Sequence, residues 1–140
     1  MTNKEFLFII IDDSELDCFV TQKFLEYSNT KLTTKTFDNA EHALQMIREN
    51  PHKNDLISAI ILLDLQMPGM DGFTFIEEFE KFPAEIKKKY SIIILTILTT
   101  TANPDELYRV LNYSSVKSII EKPLTSDKLF SLLTQVKYGT

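Results

Sequence analysis

The chain has 140 residues and a formal net charge of −5, with 44% hydrophobic and 25% charged residues. These values are typical of one globular domain, which is expected to span 1–140 with no further domain. The negative charge argues against nucleic-acid binding, because phosphate backbones are bound by clustered lysine and arginine. No apolar stretch approaches the roughly 20 residues that cross a bilayer, and the start of the chain lacks the layout of a secretory signal, so a cytoplasmic protein without membrane contact is expected.

The pattern along the chain is a strand followed by a helix, repeated five times. Short apolar or alternating runs predict strands at residues 6–11, 32–37, 57–63, 92–95 and 116–120. The fourth strand has a longer alternative, 92–98. Helices are predicted from apolar residues at helical spacing, one of them reaching about residue 82, and from four capping residues: Ser14, Asn39, Asn103 and Ser126. Such repeats without a linker predict a doubly wound α/β domain with a parallel sheet and helices on both faces.

Two of the predicted helices have a marked apolar face. In the first helix this face is formed by Leu16, Phe19, Val20, Phe24 and Tyr27. In the last helix it is formed by Leu129, Phe130, Leu133 and Val136. The only cysteine, Cys18, is interpreted as a packed small side chain, with a partly exposed thiol as the alternative.

Three acidic residues directly follow two of the predicted strands. Asp12 and Asp13 come after the first strand, and Asp64 comes after the third. Because ligands of open α/β sheets bind at the carboxyl ends of the strands, the three carboxylates are expected to converge on one edge. Side by side they would repel one another unless a hard divalent cation neutralised them, which predicts a Mg²⁺ site.

With these features the sequence resembles the receiver domain of two-component response regulators, of the single-domain chemotaxis-regulator kind. The resemblance extends from about residue 6 to residue 136. It rests on four motifs, each at the end of a different strand, namely Asp12-Asp13, the run from Asp64 to Gly72, a threonine ending the fourth strand, and Lys122-Pro123. The fold that it implies is flavodoxin-like, with five strands in the order 2-1-3-4-5 and five flanking helices.

The resemblance also implies roles for individual residues. Asp64 would be the phosphoacceptor, and Mg²⁺ would be bound by Asp64, Asp13 and the backbone carbonyl of Gln66, with Asp12 acting through a water. Lys122 would pair with the phosphoryl oxygens and supply a second positive charge.

The position of the family's phosphoryl-binding hydroxyl is ambiguous in the fourth strand. Counting forward from Asp64 places it at Thr96, which we choose, whereas counting back from the next helix places it at Thr99, with Thr100 as a further alternative. Pro123 is expected to fix the loop after the lysine.

The function implied by the resemblance is a stand-alone phosphoryl-accepting switch that is not an enzyme. Its phosphodonor would be a histidine kinase or histidine phosphotransfer protein, and its signal would pass to an unknown downstream protein. Many relatives carry an aromatic residue three positions before the lysine, but this chain has Ile119 there, so an aromatic toggle is not expected. A two-state change is expected instead in residues 96–103 and the following helix.

Other interpretations remain open from the residues alone. Asp12 and Asp13 could only cap a helix, Asp64 could start a turn, and Lys122 could be a solvated surface residue. A Mg²⁺-dependent phosphohydrolase would also use an aspartyl nucleophile, but it needs a second acid where this chain has Gln66. A flavodoxin-like binding module needs a phosphate-binding loop after the first strand, where this sequence is acidic. A degenerate receiver acting as a scaffold is the third alternative.

Overall fold

A five-stranded parallel sheet forms the centre of the protein. The computed structural model describes residues 6–28, 32–49, 58–64, 72–96, 104–122 and 124–138. The strands are β1 (Phe6–Ile11), β2 (Leu32–Phe37), β3 (Ser58–Asp64), β4 (Tyr90–Thr96) and β5 (Val116–Glu121). Their order in the sheet is β2-β1-β3-β4-β5, and each neighbouring pair is parallel, which confirms the predicted fold.

The five predicted helices are all present. With one additional helix they are α1 (Glu15–Ser28), α2 (Ala40–Glu49), α3 (Gly72–Glu80), α4 (Ala84–Lys87), α5 (Pro104–Leu111) and α6 (Ser126–Tyr138). The additional helix, α4, is a single turn that starts after Pro83, whose carbonyl accepts the N–H groups of Ile86 and Lys87. Within the described ranges, no helix combines the length and the apolarity that a membrane span requires.

The three central strands, β1, β3 and β4, are buried on both faces, because they are nearly continuous apolar runs. One face, represented by Ile9, Ile61 and Ile94, packs against α2 and α3. The other face, represented by Ile10 and Leu62, packs against α1 and α6. Burial of each such side chain contributes roughly 1.5–3 kcal/mol, so the sheet supplies most of the core.

Most of the apolar face predicted for α1 lies on the outside of the helix, although Phe24 packs against the core. Leu16, Phe19 and Val20 are each more than half exposed, whereas Cys18 and Leu25 are buried against the sheet. The helix therefore has two apolar sides, and the sequence pattern identified the outer one.

Similar corrections apply to α6. Leu129 and Leu132 are buried, but Phe130 is exposed. The cap is Thr125 rather than Ser126, because the Thr125 Oγ1 accepts the N–H of Lys128 at 3.3 Å.

The predicted caps of the first two helices are confirmed. Ser14 Oγ accepts the N–H of Asp17 at 3.2 Å, and Asn39 Oδ1 accepts the N–H of His42 at 2.8 Å. These bonds satisfy donors of the first turn that have no partner within the helix, and they fix where each helix begins.

Candidate functional site

The strand register brings the acidic motifs to one edge of the sheet. Ile11 of β1 pairs with Leu63 of β3, so the next residues, Asp12 and Asp64, lie side by side at the carboxyl ends of these strands. Lys122 directly follows β5 at the same edge, two strands away from Asp64. The parallel register therefore brings together residues that are far apart in the sequence.

Three carboxylates form a compact cluster at this edge. One oxygen from each of Asp12, Asp13 and Asp64 lies within 4.8 Å of the other two. Asp12 is buried, Asp64 is partly buried and Asp13 is exposed, so the cluster extends from the core to the solvent. Three carboxylate oxygens at this separation fit a hard divalent cation such as Mg²⁺, which prefers oxygen ligands and keeps several waters.

Both oxygens of Asp12 are engaged within the protein. Oδ1 accepts a hydrogen bond from the Ser14 N–H at 3.0 Å, and Oδ2 accepts a hydrogen bond from the Lys122 ammonium at 3.2 Å. The carbonyl of Asp12 also lies 3.5 Å from the Cys18 Sγ, which donates to it. Asp12 therefore binds the backbone at the start of α1 and also contacts Lys122. A capping contact and a contact within the cluster occur in the same residue.

Lys122 points into the acidic cluster, and its side chain is only 20% exposed. Its Nζ lies 3.2 Å from Asp12 Oδ2, 3.5 Å from Asp17 Oδ2 and 3.9 Å from Asp64 Oδ2. Burial alone would lower the pKa of Lys122, but the charges of Asp64, Asp12 and Asp17 outweigh it, and the net effect is a raised pKa. The lysine is therefore a charged component of the site, and the interpretation of Lys122 as a solvated surface residue is wrong.

The thiol of Cys18 is part of the packing beneath the site. Burial, together with the charges of Asp12 and Asp17, raises its pKa from 9.0 to about 11. At neutral pH the group is a protonated, packed side chain, which decides between the two readings that the sequence left open.

Other predicted site residues are only partly described or lie outside the described ranges. Thr96 ends β4 and pairs in register with Glu121, so its backbone reaches the same edge as the acidic residues. Gln66, Thr99, Thr100 and Pro123 lie outside the described residues. Their assigned roles, like that of Thr96, stay predictions.

Sequence reasoning did not identify Asp17 as part of this site. The residue follows Ser14 by three positions, and that spacing is typical of a helix cap, so its carboxylate was not expected to contact Lys122. The signal in the sequence was its place in the first turn of the helix that follows Asp12.

Comparisons with known proteins support the resemblance drawn from the motifs. The family model of the response regulator receiver domain matches residues 8–134. The sensor histidine kinase CheAY of Helicobacter pylori is 27% identical over 129 residues, which cover 92% of this chain but only 15% of that kinase. The chain likewise spans only 8% and 16% of two other curated relatives that it matches, so the activities of those whole proteins are not carried over to it.

Solved structures agree with the architecture described above. A response regulator receiver protein from Dyadobacter fermentans has a TM-score of 0.79 and 28% identity, with 93% of this chain and 96% of that chain covered. A two-component response regulator from Cytophaga hutchinsonii has a TM-score of 0.80 at 21% identity, with 96% and 98% covered, and at that identity the likeness concerns the fold alone.

Proposed function

The chain belongs to the response regulator receiver family, whose members accept a phosphoryl group from histidine kinases, and on this premise we propose that Asp64 is its phosphoacceptor. The donor is a histidine kinase or histidine phosphotransfer protein, and the phosphorylated domain signals in the cytoplasm to a downstream protein. One observation carries the proposal, which is the cluster of Asp12, Asp13 and Asp64 in contact with Lys122.

Asp64 has the surroundings that a carboxylate nucleophile requires. Its side chain is 14% exposed, so one oxygen can meet a donor while the strand end holds the residue in place. In the transfer, an Asp64 oxygen forms a new bond to phosphorus, the bond from phosphorus to the donor nitrogen breaks, and the donor imidazole keeps that electron pair. Such a transfer depends on in-line positioning and on neutralisation of charge.

Two sources of positive charge fit this site. Asp13, Asp64 and the backbone carbonyl of Gln66 would hold Mg²⁺, with Asp12 acting through a water, because both Asp12 oxygens already have partners in the protein. When bound, the metal supplies charge neutralisation to the phosphoryl oxygens. Lys122 supplies a second positive charge from 3.9 Å away, and its raised pKa keeps it protonated.

The outer side of α1 offers a docking surface for the phosphodonor. Leu16 and Phe19 line an open groove of about 780 Å³, together with the acidic side chains of Glu15 and Asp38, and the groove extends to Asp12. An exposed apolar surface next to the reactive carboxylates is what a protein donor needs, since it must present its phosphohistidine at this edge.

The signal is proposed to leave through α5. This helix follows residues 97–103, and its Tyr108 and Leu111 are exposed. Arg109 connects it to α3, because the guanidinium stacks 5.6 Å from the Phe73 ring and lies 3.9 Å from a Glu77 oxygen. Since Ile119 replaces the aromatic residue of many relatives, movement of residues 96–103 and α5 is the proposed response, with the Thr96 hydroxyl bound to the phosphoryl group.

Steady enzymatic turnover is not part of this proposal. Phosphohydrolases with an aspartyl nucleophile need an acid two positions later to protonate the leaving group, and Gln66 cannot serve as one. The domain therefore accepts one phosphoryl group and loses it slowly.

Incubation with acetyl phosphate and Mg²⁺, followed by intact-mass measurement, tests this function. We expect a single phosphate adduct, which disappears in Asp64→Asn and when the metal is chelated. As a matched control, Asp38→Asn removes a carboxylate outside the cluster and should keep the adduct. An adduct that persists in Asp64→Asn would show that Asp64 is not the acceptor.

A further inference from the structure

The ammonium of Lys122 is shared with a carboxylate that belongs to none of the motifs of the site. Its Nζ is 3.5 Å from Asp17 Oδ2 and 3.9 Å from Asp64 Oδ2. Asp17 is therefore closer to the ammonium than the proposed phosphoacceptor is. The positive charge of Lys122, which is proposed to pair with the phosphoryl group, is thus partly paired with Asp17, a residue outside the acidic cluster.

The start of α1 places Asp17 in this position. Ser14 Oγ accepts the Asp17 N–H at 3.2 Å, as expected for a cap. In a reciprocal capping box the carboxylate at the third position would bind the N–H of the capping residue. Here the Ser14 N–H donates to Asp12 Oδ1 at 3.0 Å instead, and the Asp17 carboxylate is directed to Lys122.

Asp17 lies at the solvent side of the site. Its side chain is 52% exposed, compared with 20% for Lys122 and 14% for Asp64. An ion pair with an exposed partner is weak and is screened by salt, so it can be exchanged for a stronger one. A phosphoryl group on Asp64 adds up to two negative charges and three acceptor oxygens, and it competes effectively for the same ammonium.

We propose that Asp17 is a positioning residue for Lys122, which it retains at the rim of the unphosphorylated site in competition with the phosphoryl group. The inference rests on the proposed function of Asp64. In transfer from acetyl phosphate, phosphorus forms a bond to an Asp64 oxygen, its bond to the acetate oxygen breaks, and acetate leaves with the electron pair. Lys122 must turn from Asp17 to the phosphoryl oxygens during this step, so the contact with Asp17 slows phosphorylation.

Asp17→Asn tests the competition directly. We expect the rate constant for adduct formation with acetyl phosphate and excess Mg²⁺ to rise about two- to fivefold at low salt, which is the range of one exposed ion pair. The increase should disappear at high salt, and Asp17→Glu should restore a rate close to that of the wild type. Glu41→Gln is the matched control, because it removes the same charge from the first turn of another helix, α2, and its rate should stay near that of the wild type.

A second pair of variants shows whether Asp17 acts through the lysine. In a Lys122→Gln background, Asp17→Asn should leave the rate unchanged if the two residues act as a unit. The same acceleration in that background would mean that Asp17 only repels the anionic donor, and the positioning role would then be wrong.

Urea unfolding without metal or donor gives an independent readout. The cycle of wild type, Asp17→Asn, Lys122→Gln and the double variant should give a non-zero coupling that decreases with salt. Zero coupling at low salt would contradict a contact between the two side chains in the unphosphorylated protein.

The outcomes separate this inference from the function on which it rests. If the wild type forms no adduct, or if Asp64→Asn forms the same one, the proposed function is wrong and the role of Asp17 is lost with it. If the wild type forms the Asp64-dependent adduct but Asp17→Asn and Glu41→Gln react equally fast, only the role of Asp17 is wrong.

Discussion

Asp13 differs from the other two carboxylates of the cluster in its surroundings. Asp12 and Asp64 both face the Lys122 ammonium, whereas Asp13 lies exposed at the outer side of the cluster, within 4.8 Å of the other two carboxylates. Without a cation the third negative charge raises the energy of the folded state through repulsion between like charges. A residue that binds a ligand at the expense of stability is common at functional sites.

Asp13→Asn is therefore expected to stabilise the metal-free protein by about 0.5 kcal/mol, the scale of an exposed charge interaction. The same substitution should remove most of the stabilisation that excess Mg²⁺ gives to the wild type, because it removes a proposed ligand. Urea unfolding with chelator and with Mg²⁺ measures both effects. Glu41→Gln, an exposed acidic residue on α2, serves as a control and should keep the full response to Mg²⁺. A metal-free Asp13→Asn that is less stable than the wild type would contradict the repulsion argument.

The acidic cluster could be predicted from the sequence because its residues directly follow apolar strands. Asp12, Asp13 and Asp64 each end or follow a run of buried residues, and parallel strands end at one edge. Lys122 lies 110 positions from Asp12, so local pattern could not bring it to the site, whereas the family resemblance implied that it pairs with the phosphoryl oxygens there. Its contact with Asp12 is shown only by the structure. The direction of the Asp17 carboxylate depends on whether Asp17 or Asp12 accepts the N–H of Ser14. Only the structure shows that Asp12 accepts it.

At the scale of the elements, α1 shows the limit of periodicity as a guide to the core. The central strands β1, β3 and β4 are buried on both faces and already provide most of the apolar contacts, so α1 needs to bury only a narrow side. Cys18 and Leu25 lie on that side, while the more regular stripe through Leu16, Phe19 and Val20 is exposed. The pattern identified a helix correctly, but it could not tell a face that packs on the sheet from a face that is available to a partner.

Two alanine substitutions in α1 test which side supports the fold. Leu25→Ala should lower the free energy of unfolding by about 2–4 kcal/mol, because it leaves a cavity next to the sheet. Phe19→Ala removes a larger side chain but should cost less than about 1 kcal/mol, because Phe19 is 55% exposed and loses little burial. Urea unfolding of both variants gives the comparison. Equal losses of unfolding free energy in the two variants would place Phe19 in the core and would leave no apolar docking surface on this side of α1.

Across the whole molecule, the two edges of the sheet have opposite electrostatic requirements. The carboxyl edge gathers three carboxylates and a lysine, and its proposed function depends on their charges. The amino-terminal end of β4 instead holds Tyr90, which is 3% exposed and packs edge-on against the Phe79 ring at 5.8 Å. Burial raises the pKa of Tyr90 from 10.0 to about 12, so this end of the core requires a neutral side chain.

The raised pKa of Tyr90 predicts how the stability of the protein depends on alkaline pH. Below pH 10 the hydroxyl is neutral in both the folded and the unfolded chain, and the stability is fully present. Between pH 10 and about 12 the unfolded chain loses this proton while the folded protein retains it, so the free energy of unfolding falls, by up to about 3 kcal/mol.

The free energy of unfolding of Tyr90→Phe should fall less over this pH range, because the variant has no proton to lose at that position. Urea unfolding on both sides of pH 10 measures the difference, with Tyr27→Phe as the control, since the exposed Tyr27 should leave the wild-type decline intact. Parallel curves for wild type and Tyr90→Phe would show that the interior around β4 tolerates the ionised ring.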